Sequence, residues 1–196
     1  MRVIAGQYRS RPLKSLPGLD LRPTSDRLRE TLFNVLASSS TLEGSVWLDL
    51  FAGTGAIGIE AISRGARQVY FVESKRKHTR LIRGNLQSLK IRDGFDVYES
   101  DVASALGALE ASRIGCDFCF LDPPYDSRGS YERTLELLGK SRLLVAHSIV
   151  IAEHEKKYDP GDEFGALGRY RKILEGDAAL SFYRVVGENL SFTKVH

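Results

Sequence analysis

From Ser45 onward, short apolar runs alternate with segments whose apolar residues recur at helical spacing. This alternation predicts strands at 46–50, 68–72, 95–99, 116–121 and 148–152, with helices between them at 56–64, 74–89, 102–109 and 131–138. Two later apolar runs, at 170–174 and 180–186, predict a closing strand pair. Strands and helices that alternate at this spacing form a largely parallel sheet with helices on both faces. We therefore expect an α/β fold with a mostly parallel seven-stranded sheet.

The first 44 residues do not continue this alternation. Residues 1–22 contain only short extended pieces, which favour a small β-hairpin. A helix then runs to about Ser38, and Pro23-Thr24-Ser25-Asp26 marks its first turn, where a short oxygen-bearing side chain can cap free N–H groups. We expect an N-terminal extension at 1–44 and a main domain at 45–196.

The composition is that of an ordinary globular protein. Of the 196 residues, 42% are hydrophobic and 27% are charged, which excludes a disordered chain. No apolar run approaches the roughly 20 residues that span a bilayer, and the N-terminus lacks the apolar core of a secretory signal. Two cysteines cannot build a disulfide scaffold. We expect a cytoplasmic monomer without membrane contact.

The two cysteines, Cys116 and Cys119, have the C-x-x-C spacing of some metal and redox sites. They fall within a predicted strand, where an offset of three residues places side chains on opposite faces. No second pair is present, and the four histidines are scattered along the sequence. We therefore predict that both cysteines are small core residues and that the protein binds no metal.

Positive charge is concentrated in two regions, although the formal net charge is only +3. Residues 1–30 carry seven basic and three acidic side chains, and residues 64–92 carry nine basic side chains and one acidic side chain. Such concentration in a nearly neutral protein favours a polyanionic partner. In the second region the arginines also recur opposite the apolar residues of a helix, which is equally typical of a solvated helix face.

A glycine-rich turn follows the first strand of the main domain. Its sequence, Asp49-Leu-Phe-Ala-Gly53-Thr-Gly55-Ala-Ile-Gly58, matches the Gly-x-Gly-x-x-Gly pattern that brings a nucleotide close to a helix N-terminus. The glycines fit NAD and S-adenosyl-L-methionine equally. Asp49 favours S-adenosylmethionine, because a carboxylate at this strand end suits an ammonium or sulfonium group and repels a pyrophosphate. The alternative role of Asp49 is to cap N–H groups of the turn itself.

Acidic residues follow the next two strands, at the sheet edge where ligands bind in such folds. Glu73 is placed to accept hydrogen bonds from two vicinal ribose hydroxyls. Its alternative is a place beside the cap of the following helix. Asp101 is placed to accept from the exocyclic amine of adenine, and its alternative is the N-cap of the next helix.

The most specific motif, Asp122-Pro123-Pro124-Tyr125, follows the fourth strand. Its two prolines hold the backbone rigid and extended, so the Pro123 carbonyl is not used by a helix. An acceptor side chain, an exposed carbonyl and an aromatic ring then lie together. This combination suits a planar base that stacks on Tyr125 and donates from its amino group to Asp122 and the Pro123 carbonyl. The alternative is an ordinary proline-containing turn.

These motifs resemble those of a known enzyme family. The Asp-Pro-Pro-Tyr motif and the glycine turn are similar to motifs of amino-methyltransferases that act on exocyclic base nitrogens. From about residue 2 to residue 186, the chain resembles the bacterial 16S ribosomal RNA guanine-N2 methyltransferase family (RsmD type). The resemblance lies in RVIAGQYRSRPL, LRPTSDRLRETLFNVL, LDLFAGTGAIGIEAISRGA, LDPPY and YRKILEGDAALSFYRV.

The resemblance implies a Rossmann-like class I methyltransferase fold that uses S-adenosyl-L-methionine and modifies 16S rRNA within a small-subunit assembly intermediate. It implies a catalytic set that holds the target guanine: Asp122, Pro123, Pro124 and Tyr125. It also implies a cofactor-binding set of Arg22, Thr24, Asp49, Phe51, Gly53, Gly55, Glu73, Asp101 and Val102. The RNA-binding candidates are basic residues that precede no obvious buried face: Arg2, Arg9, Arg11, Lys14 and Arg27.

Three other functions stay open at this point. A DNA adenine-N6 methyltransferase shares the Asp-Pro-Pro-Tyr motif, but it normally needs a larger target-recognition region than residues 1–44 and 155–170 provide. Asp49 and the same motif disfavour an NAD-dependent oxidoreductase. The intact site residues disfavour a non-catalytic RNA-binding module.

Overall fold

The computed structural model describes residues 1–15, 25–124 and 128–186. Its helices are α1 (Asp26–Ser39), α2 (Ala56–Ser63), α3 (Arg76–Ser88), α4 (Val102–Ala111) and α5 (Arg128–Gly139). Its strands are β1 (Val46–Leu50), β2 (Gln68–Val72), β3 (Phe95–Tyr98), β4 (Cys116–Leu121), β5 (Leu144–Glu155), β6 (Glu163–Phe164), β7 (Leu167–Glu175) and β8 (Ala178–Val185). None of these helices is long and apolar enough to cross a membrane.

The strands form one sheet in the order β3-β2-β1-β4-β5-β8-β7-β6. The strands from β3 to β5 in this order run parallel, and β5, β8, β7 and β6 pair antiparallel. The predicted α/β fold with a mostly parallel sheet is confirmed, but the sheet has eight strands rather than seven. The additional strand, β6, has two residues and is too short to show the alternation that predicts a strand.

The core consists of two apolar layers, one on each face of the sheet. Helices α1, α2 and α3 pack on one face, in the layer that contains Trp47. Helices α4 and α5 pack on the other face, in the layer that contains Leu48. The Trp47 ring lies 5.3 Å from that of Phe33 and 4.7 Å from that of Phe118. With both faces covered, the carboxyl ends of the parallel strands are the edge left for a ligand.

The two cysteines are buried, as predicted, but they do not lie on opposite faces of the sheet. Both belong to the layer under α4 and α5, because a register shift between Cys116 and Phe118 interrupts the alternation of β4. Burial raises the pKa of the Cys116 thiol to about 12. Within the three described ranges, no group of three or more His, Cys, Asp or Glu side chains is arranged to hold a metal ion.

The first fifteen residues fold back on themselves and lie against α2 and α3. Arg2 and Pro12 form an antiparallel bridge. Val3 and Leu13 are buried in the same layer as Trp47. The predicted hairpin is therefore a short one, held by its two apolar anchors and by backbone hydrogen bonds between its arms, such as that from the Val3 N–H to the Arg11 carbonyl at 3.0 Å.

Buried polar side chains, Glu60 and Asn85 among them, bind the backbone of this segment. The Glu60 carboxylate, in α2, accepts hydrogen bonds from the N–H groups of Ile4 at 2.7 Å and Ala5 at 3.0 Å. Asn85, in α3, accepts from the Lys14 N–H at 2.9 Å and donates to the Lys14 carbonyl at 3.1 Å. These side chains satisfy backbone groups that a neighbouring strand would otherwise pair.

Candidate active site

The chain turns sharply where β1 ends, and two glycines make this turn possible. Gly53 and Gly55 adopt φ values of +55° and +76°, which glycine takes without strain. A Cβ atom on Gly55 would lie 3.2 Å from Ile82, whereas one on Gly53 would meet nothing closer than the Phe51 carbonyl at 3.8 Å. The backbone at Gly53 therefore has open space beside it, which a ligand at this turn requires.

Glu73, directly after β2, connects the glycine turn to the start of α3. Its carboxylate accepts hydrogen bonds from the Gly53 N–H at 3.0 Å and the Lys75 N–H at 2.8 Å. His78 Nδ1 lies 3.3 Å from the same carboxylate. Only 7% of Glu73 is exposed. The side chain is thus fixed at the strand end, and its remaining lone pairs are available to hydroxyl groups.

A cavity of about 400 Å³ lies beside Glu73 at the carboxyl edge of the sheet, within the range of roughly 300–1,000 Å³ that is typical of small-molecule sites. The structure brings four predicted cofactor residues to its lining: Phe51, Glu73, Asp101 and Val102. Helix α5 supplies a further wall through Ser130, Arg133, Thr134 and Leu137. Sequence reasoning missed this wall, because helical spacing does not reveal which face of α5 meets the cleft.

Asp101 both lines this cavity and caps α4. Its carboxylate accepts hydrogen bonds from the Ser104 N–H at 3.0 Å and the Ser104 hydroxyl at 2.7 Å. The side-chain bond and then the backbone bond from Ser104 lower the pKa of Asp101. The alternative that the sequence left open, an N-cap, is therefore present, and the same carboxylate remains ionised at the cavity edge.

Asp49 lies deeper in the molecule, near the end of β1. It is 2% exposed, and its Oδ2 accepts a hydrogen bond from the Gly58 N–H at 2.9 Å. Burial raises the pKa of Asp49 to about 8; the Gly58 bond opposes this shift and the charge of Glu73 adds to it. Asp49 does not contribute to the lining of the 400 Å³ cavity. In this structure Asp49 therefore has the alternative role considered in the sequence analysis, because it binds an N–H group where the glycine turn leads into α2.

Asp122 and the two prolines after it continue from β4, next to the glycine turn. Leu50 of β1 pairs with Leu121 of β4, so the chain segments that follow β1 and β4 start side by side. Asp122 is partly exposed, Pro123 is buried and Pro124 is exposed. Although part of the residue is exposed, the surrounding protein shields the Asp122 carboxyl from water and raises its pKa, and the neighbouring carboxylates of Glu153 and Asp49 raise it further.

Two residues behind this corner, Glu153 and Tyr131, were not predicted from the sequence. Leu121 pairs with Ala152, which places Asp122 beside Glu153, two residues before the end of β5. Glu153 is 2% exposed. The Tyr131 hydroxyl, in α5, donates to the Glu153 carbonyl at 2.9 Å and lies 3.4 Å from the Pro123 carbonyl. The only sequence signal for Glu153 was its position after an apolar strand, and the strand was predicted to end one residue earlier.

The basic residues predicted to bind RNA are divided between two places. Arg9, Arg11 and Lys14 are exposed on the N-terminal segment. Arg2 lies 3.6 Å from the Asp26 carboxylate, and Arg27 forms an ion pair of 2.7 Å with Glu175 of β7.

Three predicted site residues, Arg22, Thr24 and Tyr125, lie outside the described residues.

Comparison with known proteins gives the family. A family model described as "Conserved hypothetical protein 95" matches residues 1–184. "Ribosomal RNA small subunit methyltransferase D" of Escherichia coli strain K12 is 37% identical over 186 residues, which cover 94% of this chain and 89% of that protein. The chain therefore belongs to the family that this model describes. The resemblance to the RsmD type is thereby confirmed.

Further relatives agree in sequence and in structure. The Haemophilus influenzae protein of the same name is 37% identical over 158 residues, which cover 80% of this chain and 79% of that protein. The solved structure of yhhF from Escherichia coli is 32% identical, with a TM-score of 0.81, and covers 95% of this chain and 98% of that chain. Hypothetical protein TTHA0928 of Thermus thermophilus is 27% identical with a TM-score of 0.80.

Proposed function

We propose that this protein transfers a methyl group from S-adenosyl-L-methionine to the exocyclic N2 amine of a guanine in small-subunit ribosomal RNA. One observation carries the proposal: the glycine turn after β1 and the Asp122-Pro123 corner after β4 begin side by side on neighbouring parallel strands. Strands in a sheet are about 4.8 Å apart. A donor at the first position and a base at the second would thus be within reach of each other.

The residues around the 400 Å³ cavity fit the adenosine part of the cofactor. Phe51 and Val102 offer apolar surface to a planar ring, Asp101 offers an ionised acceptor to an amino group, and Glu73 offers lone pairs to two neighbouring hydroxyls. The open backbone at Gly53 fits the part of the ligand that continues toward Asp49. When bound, S-adenosylmethionine supplies a methyl group activated by a positively charged sulfur.

Asp122 and the Pro123 carbonyl would activate the target amine. The lone pair of the guanine amine is delocalised into the ring, which makes the nitrogen a poor nucleophile. Two acceptors that bind its N–H groups favour a tetrahedral nitrogen and free the lone pair for attack. The Tyr131 hydroxyl, 3.4 Å from the Pro123 carbonyl, supports this corner from behind, and the buried Glu153 lies beside it. Positioning of this kind contributes up to about 7–11 kcal/mol to catalysis in favourable systems.

The methylated amine must then lose one proton. Asp122 is the nearest predicted acceptor, and its raised pKa makes its carboxylate a better base than a solvated one. The base must also leave its stack in the RNA, which costs a few kcal/mol. Stacking on Tyr125, expected from the motif, would offset about 1–3 kcal/mol of this cost.

The proposed substrate is ribosomal RNA, because the named relatives are ribosomal RNA small subunit methyltransferases. The exposed Arg9, Arg11 and Lys14 provide positive charge for phosphate groups on the N-terminal segment. We propose an assembly intermediate of the small subunit as the form of this RNA, a cytoplasmic site of action and a monomeric enzyme.

The decisive experiment is methyl transfer by the wild type and Asp122→Asn. Labelled S-adenosylmethionine is incubated with unmethylated small-subunit particles, naked 16S RNA or DNA, and the products are digested to nucleosides. We expect N2-methylguanosine from the particles. Asp122→Asn replaces a carboxyl acceptor and base by an amide and should lower turnover by about 10²–10³-fold, while calorimetric affinity for S-adenosylhomocysteine stays unchanged.

Asp96→Asn on the exposed surface of β3 is the matched control and should retain full activity. Methylated adenine in DNA as the only product would refute the proposed substrate. Near-normal turnover of Asp122→Asn would refute the proposed role of that carboxylate.

A further inference from the structure

One face of α3 and the turn after it carry a continuous run of positive charge. Between residues 74 and 92 the chain has seven basic side chains and no acidic one. All seven are exposed: Lys75, Arg76, Lys77, Arg80, Arg83, Lys90 and Arg92. Glu73 and the exposed Asp93 flank this run, but no acidic residue lies within it, whereas a merely solvated helix face usually mixes both signs.

Within the described ranges, little neutralises this charge. Arg76 lies 4.0 Å from the Glu99 carboxylate, and Arg83 donates to the Val97 carbonyl at 3.0 Å. Lys90 and Arg92 make no ion pair with a described residue. These two exposed cations are therefore available to an anion that comes from outside the protein.

The far end of this face forms a groove. A cavity of about 440 Å³ lies between the C-terminal end of α3 and the start of β3. Three cations, Arg83, Lys90 and Arg92, line it together with Gln87 and the half-buried ring of Phe95. Cations beside an accessible aromatic ring are the usual components of a site for unpaired nucleotides, whose phosphates pair with the cations and whose bases stack on the ring.

The N-terminal segment adjoins the same groove. The Arg11 guanidinium donates to the carbonyl of Ser88, the last residue of α3, at 3.4 Å, and Lys14 is held by Asn85 one turn earlier. The exposed cations of the N-terminal segment and those of α3 therefore form one surface. These contacts join residues 77 and 71 positions apart, so the two basic regions of the sequence meet here.

We infer that the groove lined by Arg83, Lys90, Arg92 and Phe95 is a second RNA site, which binds an unpaired nucleotide of the substrate away from the base that is modified. Helix α3 begins beside Glu73 at the cofactor cavity and ends at the groove. Its thirteen residues span about 20 Å, which corresponds to about six nucleotides of a stacked strand. The inference rests on the proposed function for the identity of the RNA but not for its binding.

Binding of a fluorescent 20-nucleotide single-stranded RNA, followed by anisotropy over a range of salt concentrations, tests this site. Each lost phosphate contact lowers the salt slope of a single strand by about 0.7. Lys90→Gln/Arg92→Gln should therefore lower the slope by about 1.4 and weaken binding about 25-fold at 0.1 M salt. Phe95→Leu, which keeps an apolar side chain, should weaken binding about fivefold at every salt concentration, because stacking is not screened.

Lys140→Gln/Arg142→Gln is the matched control, since these two exposed cations lie at the far end of α5 on the other face of the sheet. An equal loss of RNA affinity in this control would show an effect of net charge and overturn the inference. Unchanged RNA affinity and an unchanged salt slope in Lys90→Gln/Arg92→Gln would also overturn the inference. If the wild type still methylated the particles, the proposed function would stand in that case. Conversely, a lowered slope together with no N2-methylguanosine from the wild type would support the groove and refute the proposed function.

Discussion

Asp49 allows a quantitative test of the site's electrostatics in the protein alone. Its carboxyl is buried in the core next to the glycine turn, and its pKa is raised from 3.8 to about 8 by burial, against the Gly58 hydrogen bond and with a contribution from Glu73. At neutral pH the folded protein therefore keeps a proton that the unfolded chain has released. Asp49→Asn removes the titratable proton but keeps an oxygen that accepts from the Gly58 N–H.

The sign and size of the effect follow from proton linkage. Between pH 3.8 and about 8 the folded state binds more protons than the unfolded state, so the free energy of unfolding falls as the pH rises. The slope for one group is about 1.4 kcal/mol per pH unit. Wild-type protein should therefore lose about 4 kcal/mol between pH 5 and pH 8 through Asp49, and Asp49→Asn should not lose this part.

Urea denaturation at a series of pH values measures this difference. The single tryptophan, Trp47, is fully buried between Phe33 and Phe118 and reports unfolding by its fluorescence. The stability of Asp49→Asn relative to the wild type should rise from pH 5 to pH 8. The exposed control Asp96→Asn should run parallel to the wild type. Parallel curves for Asp49→Asn as well would mean that Asp49 is ionised in the folded core and would refute the reasoning.

Two further predictions concern the structural support of the site. Gly58→Ala would place a Cβ atom 2.2 Å from the Phe71 ring and should destabilise the protein by about 1–3 kcal/mol. Gly84→Ala, whose Cβ atom would have no neighbour within 4 Å, should stabilise the protein by up to about 1 kcal/mol. Thermal denaturation of both variants checks this contrast, and equal shifts of the melting temperature would contradict it. Glu60→Gln removes a buried carboxylate that accepts two N–H groups of the N-terminal segment, and should cost about 2–4 kcal/mol. Limited trypsin digestion should then cut this segment much faster than in the wild type, and an unchanged cleavage rate would show that the segment is held by other contacts.

The parallel strands were predictable because each is a short run of apolar residues, which is typical of a strand covered on both faces. The bounds of β1, β2 and β4 agree with the predicted ranges, since each is a short apolar run buried on both faces of the sheet. β5 was predicted as 148–152 but extends over Leu144–Glu155. In its C-terminal extension, Glu153 and His154 are buried and pair with β8, where the Ser181 hydroxyl lies 2.9 Å from His154 Nε2. Such a partner is distant in sequence, and local composition does not reveal it.

In the candidate site, too, some residues could be predicted from the local sequence and others depend on distant parts of the chain. The rule that ligands bind at the carboxyl ends of parallel strands led from sequence to Glu73, Asp101 and Asp122. Glu153 and the α5 wall of the cavity were missed, because their positions depend on the register between β4 and β5 and on the packing of a helix. The contact between Asp49 and Gly58 was foreseen only as an alternative, since one carboxylate at this strand end suits either a cation or a backbone N–H.

The Glu60 contact sets an order in which the protein can fold. Ile4 and its partner are 56 positions apart in the sequence, and closing a loop of this length costs on the order of 3–4 kcal/mol in chain entropy. During synthesis the first residues leave the ribosome long before α2 exists to receive them. The N-terminal segment must therefore wait for its partner, so the nascent protein completes its arginine-bearing edge only after α2 has been synthesised.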